Sequence, residues 1–158
     1  MFLLRKNNAQ VARVSEILVA AGWFGAFTGL VEGASLLALD RAGWLTWPMA
    51  QIGASAELLY ISPIVNTLLL VAVALAAVAI SRAFGRASVL QTAVLLFTFW
   101  MLVDWLVLLG RLRHRSLLLL AAGLATVFLR WFRQHEAQAL RFWRRTLPWL
   151  AAAAVLAL

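Results

Sequence analysis

The sequence contains no cysteine, one tyrosine, three prolines and only six acidic residues among its 158 residues. The lack of cysteine excludes disulfides, thiolate nucleophiles and cysteine-ligated metals. Charged residues make up 13% of the chain, whereas soluble domains usually contain about a quarter, so an ordinary water-soluble globule is excluded. Disorder is excluded too, because 65% of the residues are hydrophobic and a disordered chain needs low hydrophobicity.

The sequence also lacks the residue patterns of a catalytic or cofactor site. Both histidines, His114 and His135, fall in segments that connect apolar runs, so no predicted span supplies an axial ligand for haem or chlorophyll. No histidine and carboxylate have metal-ligand spacing, and neither a P-loop nor a nucleophile elbow is present. We therefore predict a non-catalytic chain without a metal or cofactor.

Long apolar runs take up most of the chain. Since a span needs about 20 apolar residues, they predict an all-α, polytopic transmembrane helical bundle in a single domain. Four full spans are expected at 14–39, 57–80, 87–110 and 116–132, and a partial fifth at 147–158. The last twelve residues would rise only about 18 Å as helix, too short for a hydrocarbon core of about 30 Å. We therefore expect either a longer polypeptide or a half-inserted last helix.

Residues 130–146 combine aromatic and basic side chains at helical spacing, which predicts an interfacial amphipathic helix held by anionic lipid. A basic extension of the fourth helix is an equally good interpretation. Trp44 and Trp47, in a loop over 40–56, are also expected at the headgroups. The predicted lipid-interface residues of the 130–146 segment are Arg130, Trp131, Arg133, Arg141, Trp143, Arg144 and Arg145.

A net charge of +8 would suggest nucleic acid as the partner of a soluble protein. Here the basic residues lie between apolar runs, so the predicted partner is a bilayer with anionic headgroups and not nucleic acid. Alternate connecting segments hold ten basic residues on one side and four on the other. The positive-inside rule then predicts a cytoplasmic amino terminus.

Four glycines mark one face of the first span: Gly22, Gly25, Gly29 and Gly33. Without a Cβ atom, another helix can approach closely, so this face is predicted to pack on a helix of this chain or of a partner protein. A gap for a lipid tail or quinone is the other interpretation.

Three intramembrane polar residues stand out because such groups are costly in a bilayer and commonly functional. Glu32 could relay protons, donate a hydrogen bond as a neutral acid, pair with an arginine or reach headgroup water. Asp104 and Asn66 are predicted to form a buried pair that sets how two helices pack. Glu16 and Glu57 lie near span ends and are expected to be solvated caps.

Four strings occur in order along the chain: WFGAFTGLVEG at 23–33, YISPIVNTLL at 60–69, AAGLA at 121–125 and RRTLPWL at 144–150. Their succession resembles the amino-terminal membrane region that precedes the catalytic domain in some bacterial membrane-bound sulfatases of the alkaline phosphatase superfamily. The resemblance implies a following exported hydrolase domain that holds a metal and a formylglycine or related nucleophile. No catalytic residue carries over to these 158 residues, and Tyr60 stands where a tryptophan is expected.

Three functions follow as expectations. The first is a non-catalytic anchor, in the bacterial inner membrane, for a sulfatase-like hydrolase. The second is a structural accessory subunit of a larger respiratory or photosynthetic complex, which would use the glycine face and the aromatic residues. The third, a small transporter or proton channel, depends on Glu32 and Asp104 alone.

Overall fold

The chain is almost entirely helical over the residues that the structure describes. This computed structural model describes residues 2–43, 56–84, 89–108 and 113–156. Those residues form four helices and no strand, so the predicted all-α fold is confirmed. The helices are α1 (Phe2–Arg41), α2 (Leu58–Phe84), α3 (Val89–Leu108) and α4 (His114–Leu156). The predicted interfacial residues Trp44 and Trp47 lie outside the described residues.

Each of the four described helices contains a stretch that is long and apolar enough to cross a membrane. These stretches are Val14–Arg41, Leu58–Ala79, Val89–Leu108 and His114–Leu156. Large apolar side chains also point outwards: Leu68 of α2 is 65% exposed and Leu119 of α4 is 75% exposed. Soluble proteins rarely expose large contiguous apolar patches, so these surfaces suit hydrocarbon surroundings. The chain is therefore a membrane protein.

A glycine cap ends α1 close to its predicted boundary. Gly43 has a φ of +67°, a left-handed conformation that costs glycine little because it lacks a Cβ atom. The backbone N–H groups of Ala42 and Gly43 donate to the carbonyl oxygens of Ala38 and Asp40, both at 3.0 Å. The last carbonyl groups of the helix gain partners in this way.

α4 is bent at His135, whose φ of −124° and ψ of 24° are not helical. Phe24 of α1 contacts both Phe128 and Trp143, with ring centroids 6.2 and 5.3 Å apart. In a straight helix those two α4 residues would be about 22 Å apart along the axis. The two halves of α4, residues 114–134 and 136–156, must therefore turn towards each other.

The last part of the chain is divided differently from the prediction. We expected a span ending at 132, an interfacial helix over 130–146 and a new apolar run from 147. In the structure, the helical stretch His114–Leu156 covers all three and is interrupted at His135, not at 132 or 147. Pro148 lies inside α4, where it removes one backbone donor. Four apolar side chains of residues 130–146 pack on the core: Phe132, Ala139, Leu140 and Trp143.

The core lies where α1 meets the other three helices, each of which it contacts. Alanines let the helices approach, and large rings fill the remaining space. Phe24, Phe97 and Phe132 are at most 1% exposed. The core comprises Ile17, Ala20, Ala21 and Phe24 of α1, Leu70 and Ala74 of α2, Leu90, Ala93, Val94 and Phe97 of α3, and Phe132, Ala139, Leu140 and Trp143 of α4.

Candidate functional site

α1 packs on α2 along a seam of three glycines spaced four residues apart, called here the glycine seam. A Cβ atom at Gly25, Gly29 or Gly33 would collide with backbone atoms of α2. Membrane helices associate closely where small residues allow such backbone contact. The residues contacted on α2 are Thr67, Pro63 and Leu58. Most of the predicted glycine face is thus covered by a helix of the same chain.

Gly22, the fourth residue of that predicted face, faces α4 instead. A Cβ atom there would lie 3.6 Å from the Cδ1 atom of Leu147, which is an ordinary van der Waals distance. Gly22 therefore leaves space between α1 and the second half of α4, whereas the glycine seam leaves none.

Beside the glycine seam, three helices bring polar side chains together. The Asn66 Nδ2 atom of α2 donates to the Glu32 Oε2 atom of α1 at 2.8 Å. The Trp100 indole N–H of α3 donates to the Asn66 Oδ1 atom at 3.4 Å. Asn66 is only 8% exposed, and both the nitrogen and the oxygen of its amide are hydrogen-bonded inside the bundle. Two of the three predicted intramembrane polar residues, Glu32 and Asn66, are therefore in direct contact.

Asp104 is the third predicted intramembrane polar residue. It lies one helical turn after Trp100 and therefore on the same face of α3. Its Oδ2 atom is buried without a hydrogen-bond partner. Asp104 and Asn66, which were predicted to form a buried pair, are not hydrogen-bonded to each other, since the Asn66 amide bonds to Glu32 and Trp100. Sequence spacing could not decide between these partners.

Two further buried polar atoms in the described part of the chain lack a partner. They are the Thr28 Oγ1 atom and the Trp105 indole N–H. Thr28 is 0% exposed and lies one turn before Glu32, while the Trp105 ring meets Phe27 at 5.6 Å. A buried polar atom without a partner costs about 1–3 kcal/mol, and native proteins contain few. Packing alone therefore does not account for the polar residues here.

This arrangement is chemically suited to hold a proton or a small monovalent cation. Two carboxyl groups in apolar surroundings cannot both carry a charge without a large desolvation cost. A proton bound to one of the two groups, or a bound cation, would offset that cost. Over the described ranges, no group of three or more His, Cys, Asp or Glu side chains is arranged to hold a metal ion.

The bend of α4 carries most of the residues predicted at the lipid interface. Arg144 pairs with Glu16 of α1 at an N–O distance of 3.5 Å, so Glu16, expected to be a solvated cap, has a partner. Because Glu16 lies near the start of the apolar stretch of α1, the bend lies on the same side of the bundle as that start. Six of the residues predicted at the lipid interface are exposed around the bend: Arg130, Trp131, Arg133, Arg141, Arg144 and Arg145.

Trp143 differs from the other residues predicted at the lipid interface, because it is only 3% exposed. Its ring stacks on Phe132 at 5.5 Å with an interplanar angle of 9°. It also meets the rings of Trp23 and Phe24 at 5.9 and 5.3 Å. Trp143 is therefore a core residue, since its face of α4 is turned towards α1 and not towards lipid.

Two tryptophans were not predicted as site residues. The Trp23 indole N–H donates to the Thr146 Oγ1 atom at 2.8 Å, and Trp100 joins the polar cluster through Asn66. A local signal existed for Trp100, which precedes Asp104 by one helical turn. No local signal existed for Trp23, because 123 residues separate it from Thr146.

No family model, curated protein or solved structure matches this chain. The resemblance to membrane-bound sulfatases therefore stands on its four strings alone. Function is inferred from the residues and from the contacts described above.

Proposed function

We propose that the chain is a non-catalytic membrane module that anchors a following exported, sulfatase-like hydrolase domain. The observation that carries this proposal is the closed glycine seam, where Gly25, Gly29 and Gly33 lie against the α2 backbone. A bundle that covers its close-packing face internally needs no partner helix on that face. An anchor requires such a unit, because it must stay embedded while the attached domain works in water.

The proposed location is the bacterial inner membrane, with the amino terminus in the cytoplasm. The contact between Arg144 and Glu16 brings the arginine-rich bend beside the start of the apolar part of α1. The positive-inside rule favours the cytoplasm for such a side. The connecting segments that are proposed to lie on the opposite side carry four basic residues in the sequence: Arg41, Arg111, Arg113 and Arg115.

We propose that the interfacial segment and the partial fifth span both lie in the second half of α4. Its exposed arginines suit anionic headgroups, and its apolar end continues along the bundle. Leu147, Ala151 and Ala154 line the same groove as Gly22 and Ala26 of α1. An odd number of crossings from a cytoplasmic amino terminus would deliver a following domain outside.

Reporter fusions test this topology. Alkaline phosphatase, which is active only after export, is fused after residue 86, 112 or 158. We expect activity for the fusions at 112 and 158 and none at 86, which is the control for a cytoplasmic segment. An inactive reporter after residue 158, with a fluorescent cytoplasmic reporter at the same position, would contradict the anchor for an exported domain.

The coding sequence beyond residue 158 tests the hydrolase separately. We expect it to continue into a domain with metal ligands and a cysteine or serine that can become formylglycine. A stop codon directly after residue 158 would reject the hydrolase even if the topology were correct.

The role as an accessory subunit has less support, because such a subunit was expected to contact its partner protein through the glycine face. α2 covers Gly25, Gly29 and Gly33, so these residues are not available to a partner protein. Extraction in a gentle detergent tests this role: recovery of the chain in a larger respiratory or photosynthetic complex would favour it over the anchor.

A second candidate function is the transport of protons or small monovalent cations. The observation that favours it is the buried, unpartnered Oδ2 atom of Asp104, one helical turn after Trp100, which bonds to Asn66 of the polar cluster. If the chain transports such ions, Glu32→Gln and Asp104→Asn should each abolish ion flux in proteoliposomes. Absence of flux in the unaltered protein, or equal flux in the variants, would reject this function.

A further inference from the structure

Thr28 and Glu32 of α1 face the same space inside the bundle. Gly29 marks the side of α1 that lies against the α2 backbone. Phe24 marks the side that faces α3, because its ring meets that of Phe97 at 6.1 Å. With about 3.6 residues per turn, Thr28 and Glu32 both lie between these two sides on the helix surface. Their side chains are therefore directed into the space between α1, α2 and α3.

Asp104 of α3 faces this space as well. Phe97 marks the side of α3 that faces α1, through its contact with Phe24. Trp100 marks the side that faces α2, because its indole N–H donates to Asn66. By the same helical spacing, Asp104 lies between these two sides. Its carboxyl group and that of Glu32 are therefore directed into one space from two helices.

The two carboxyl groups also lie at about the same height. Rings of α1 meet rings of α3 at two places, and the second place lies further along both helices, so the helices run in the same direction. From the contact of Phe24 with Phe97, Glu32 lies about 12 Å and Asp104 about 10.5 Å along the helix axis. Thr28 lies one turn before Glu32, and helical side chains lean towards the amino-terminal end. The Glu32 side chain therefore reaches back towards Thr28.

These three side chains offer oxygen atoms that can still bind a ligand. Thr28 is 0% exposed, and its Oγ1 atom has no hydrogen-bond partner among the described residues. The same is true of the Asp104 Oδ2 atom. Glu32 accepts a hydrogen bond from Asn66, but a carboxylate has about four acceptor positions. Oxygen atoms of this kind are the ligands of hard cations.

We propose that Glu32, Asp104 and Thr28 bind one sodium ion between α1, α2 and α3. One of the two carboxyl groups is ionised and the other is protonated, so the occupied site has no net charge and avoids the cost of a buried charge. A proton alone needs only one oxygen atom and leaves Thr28 without a role. Calcium takes about six to eight oxygen ligands, more than these side chains provide.

This inference rests on the polar residues of the second candidate function, but it requires only binding and not transport. A bound ion also suits the membrane anchor, because it joins α1 to α3 inside the bundle. The flux measurement in proteoliposomes and the binding measurement below therefore have separate outcomes. Sodium binding without flux would support the site and reject the transport function.

The test measures the thermal midpoint of the full chain in mild detergent. Sodium chloride is compared with choline chloride at the same concentration, because choline is too large for the site. With about 100 mM sodium and a dissociation constant of about 10 mM, we expect the midpoint to be about 3–6 °C higher. Equal midpoints in the two salts would overturn the proposal, and so would a larger rise in calcium chloride than in sodium chloride.

Matched threonine variants locate the ion. Thr28→Val keeps nearly the same shape without the hydroxyl group, so it should abolish the rise in sodium chloride, whereas Thr28→Ser should retain most of it. Thr98→Val is the control, because Thr98 is also buried, at 2% exposed, but donates to the Val94 carbonyl oxygen at 2.8 Å. The control should show the full rise.

Midpoints in choline chloride show whether the variants fold. There, Thr28→Val should not lower the midpoint, because the substitution removes a buried oxygen atom without a partner. If Thr28→Val keeps the full rise in sodium chloride, the ion binds elsewhere and the proposal fails. It also fails if Thr98→Val loses the rise as completely as Thr28→Val does, since the effect would then not depend on the site. The reporter fusions are unaffected by these results.

Discussion

At Gly29 the backbone of α1 lies so close to Ser62 and Pro63 of α2 that no Cβ atom fits. Pro63 has no N–H group, so the close approach hides no backbone donor at that residue. Gly123 of α4 is also helical, but nothing lies within 4 Å of the position of its Cβ atom. A side chain is therefore excluded at Gly29 but has room at Gly123.

We expect Gly29→Ala to lower the free energy of unfolding by about 1–3 kcal/mol, because an overpacked contact forces the backbones apart. Gly123→Ala should instead stabilise α4 slightly, by about 0.5–1 kcal/mol, since alanine favours the helix. Unfolding by SDS in mixed micelles measures both. Equal effects of the two substitutions would mean that α1 and α2 are not in close contact.

The Asn66 side chain links Glu32 and Trp100: its amide nitrogen donates to Glu32, and its amide oxygen accepts from Trp100. Asn66→Leu should lower the free energy of unfolding by about 1–3 kcal/mol, because it leaves buried polar groups without partners. A double-mutant cycle with Glu32→Leu should give a coupling energy of about 0.5–3 kcal/mol. Thr126→Val, which removes an exposed hydroxyl bonded within its own helix, is the control. A coupling energy of zero would contradict the Asn66–Glu32 bond.

Asp104→Leu is expected to raise the free energy of unfolding. The substitution removes a buried oxygen atom without a partner, and such an atom costs about 1–3 kcal/mol. Residues kept for function commonly reduce stability in this way. A lower thermal midpoint of Asp104→Leu than of the unaltered protein would show that Asp104 has a structural partner.

At the scale of one element, α4 shows that the spacing of apolar residues predicts a helix but not what its apolar face packs against. Its apolar residues recur at helical spacing, which correctly indicates a helix with one apolar face. The same pattern suits a helix on a lipid surface and a helix packed on protein, because both surroundings are apolar. The contact of Phe24 with both Phe128 and Trp143 depends on the bend at His135. The apolar pattern around His135 does not predict this bend.

Two tryptophans of α4 test which of its faces is packed. Trp143→Ala should lower the free energy of unfolding by about 3–5 kcal/mol, as expected for a large buried ring. Trp149, which is 76% exposed, should tolerate alanine within about 0.5 kcal/mol. Thermal unfolding in detergent compares the two variants. Similar losses would indicate that Trp143 faces lipid, as the sequence first suggested.

At the scale of the whole molecule, α1 is the element that joins the bundle, since it contacts each of the other three helices. Phe24 meets Phe97 of α3 at 6.1 Å and Trp143 of α4 at 5.3 Å. The halves of the chain on either side of residue 86 are therefore held together through α1.

We expect fragments 1–86 and 87–158, expressed together, to assemble in the membrane and co-purify, because membrane helices insert before they associate. Phe24→Ala in the first fragment should reduce recovery of the second, whereas Gly123→Ala in the second should not. Failure of the unaltered fragments to co-purify would contradict α1 as the joining helix.

The sequence by itself determined the helices, their approximate bounds and their membrane setting. These properties are local, because a chain segment in hydrocarbon must satisfy its own backbone hydrogen bonds and an apolar run of sufficient length does so as a helix. Only the tertiary structure decided that α2 covers the glycine seam, that Asn66 bonds to Glu32 and that Trp143 is buried. Lipid tails are as apolar as leucine side chains, so hydropathy cannot distinguish a face that meets lipid from one that meets another helix. That choice depends on shape and on hydrogen-bond partners far away in the sequence.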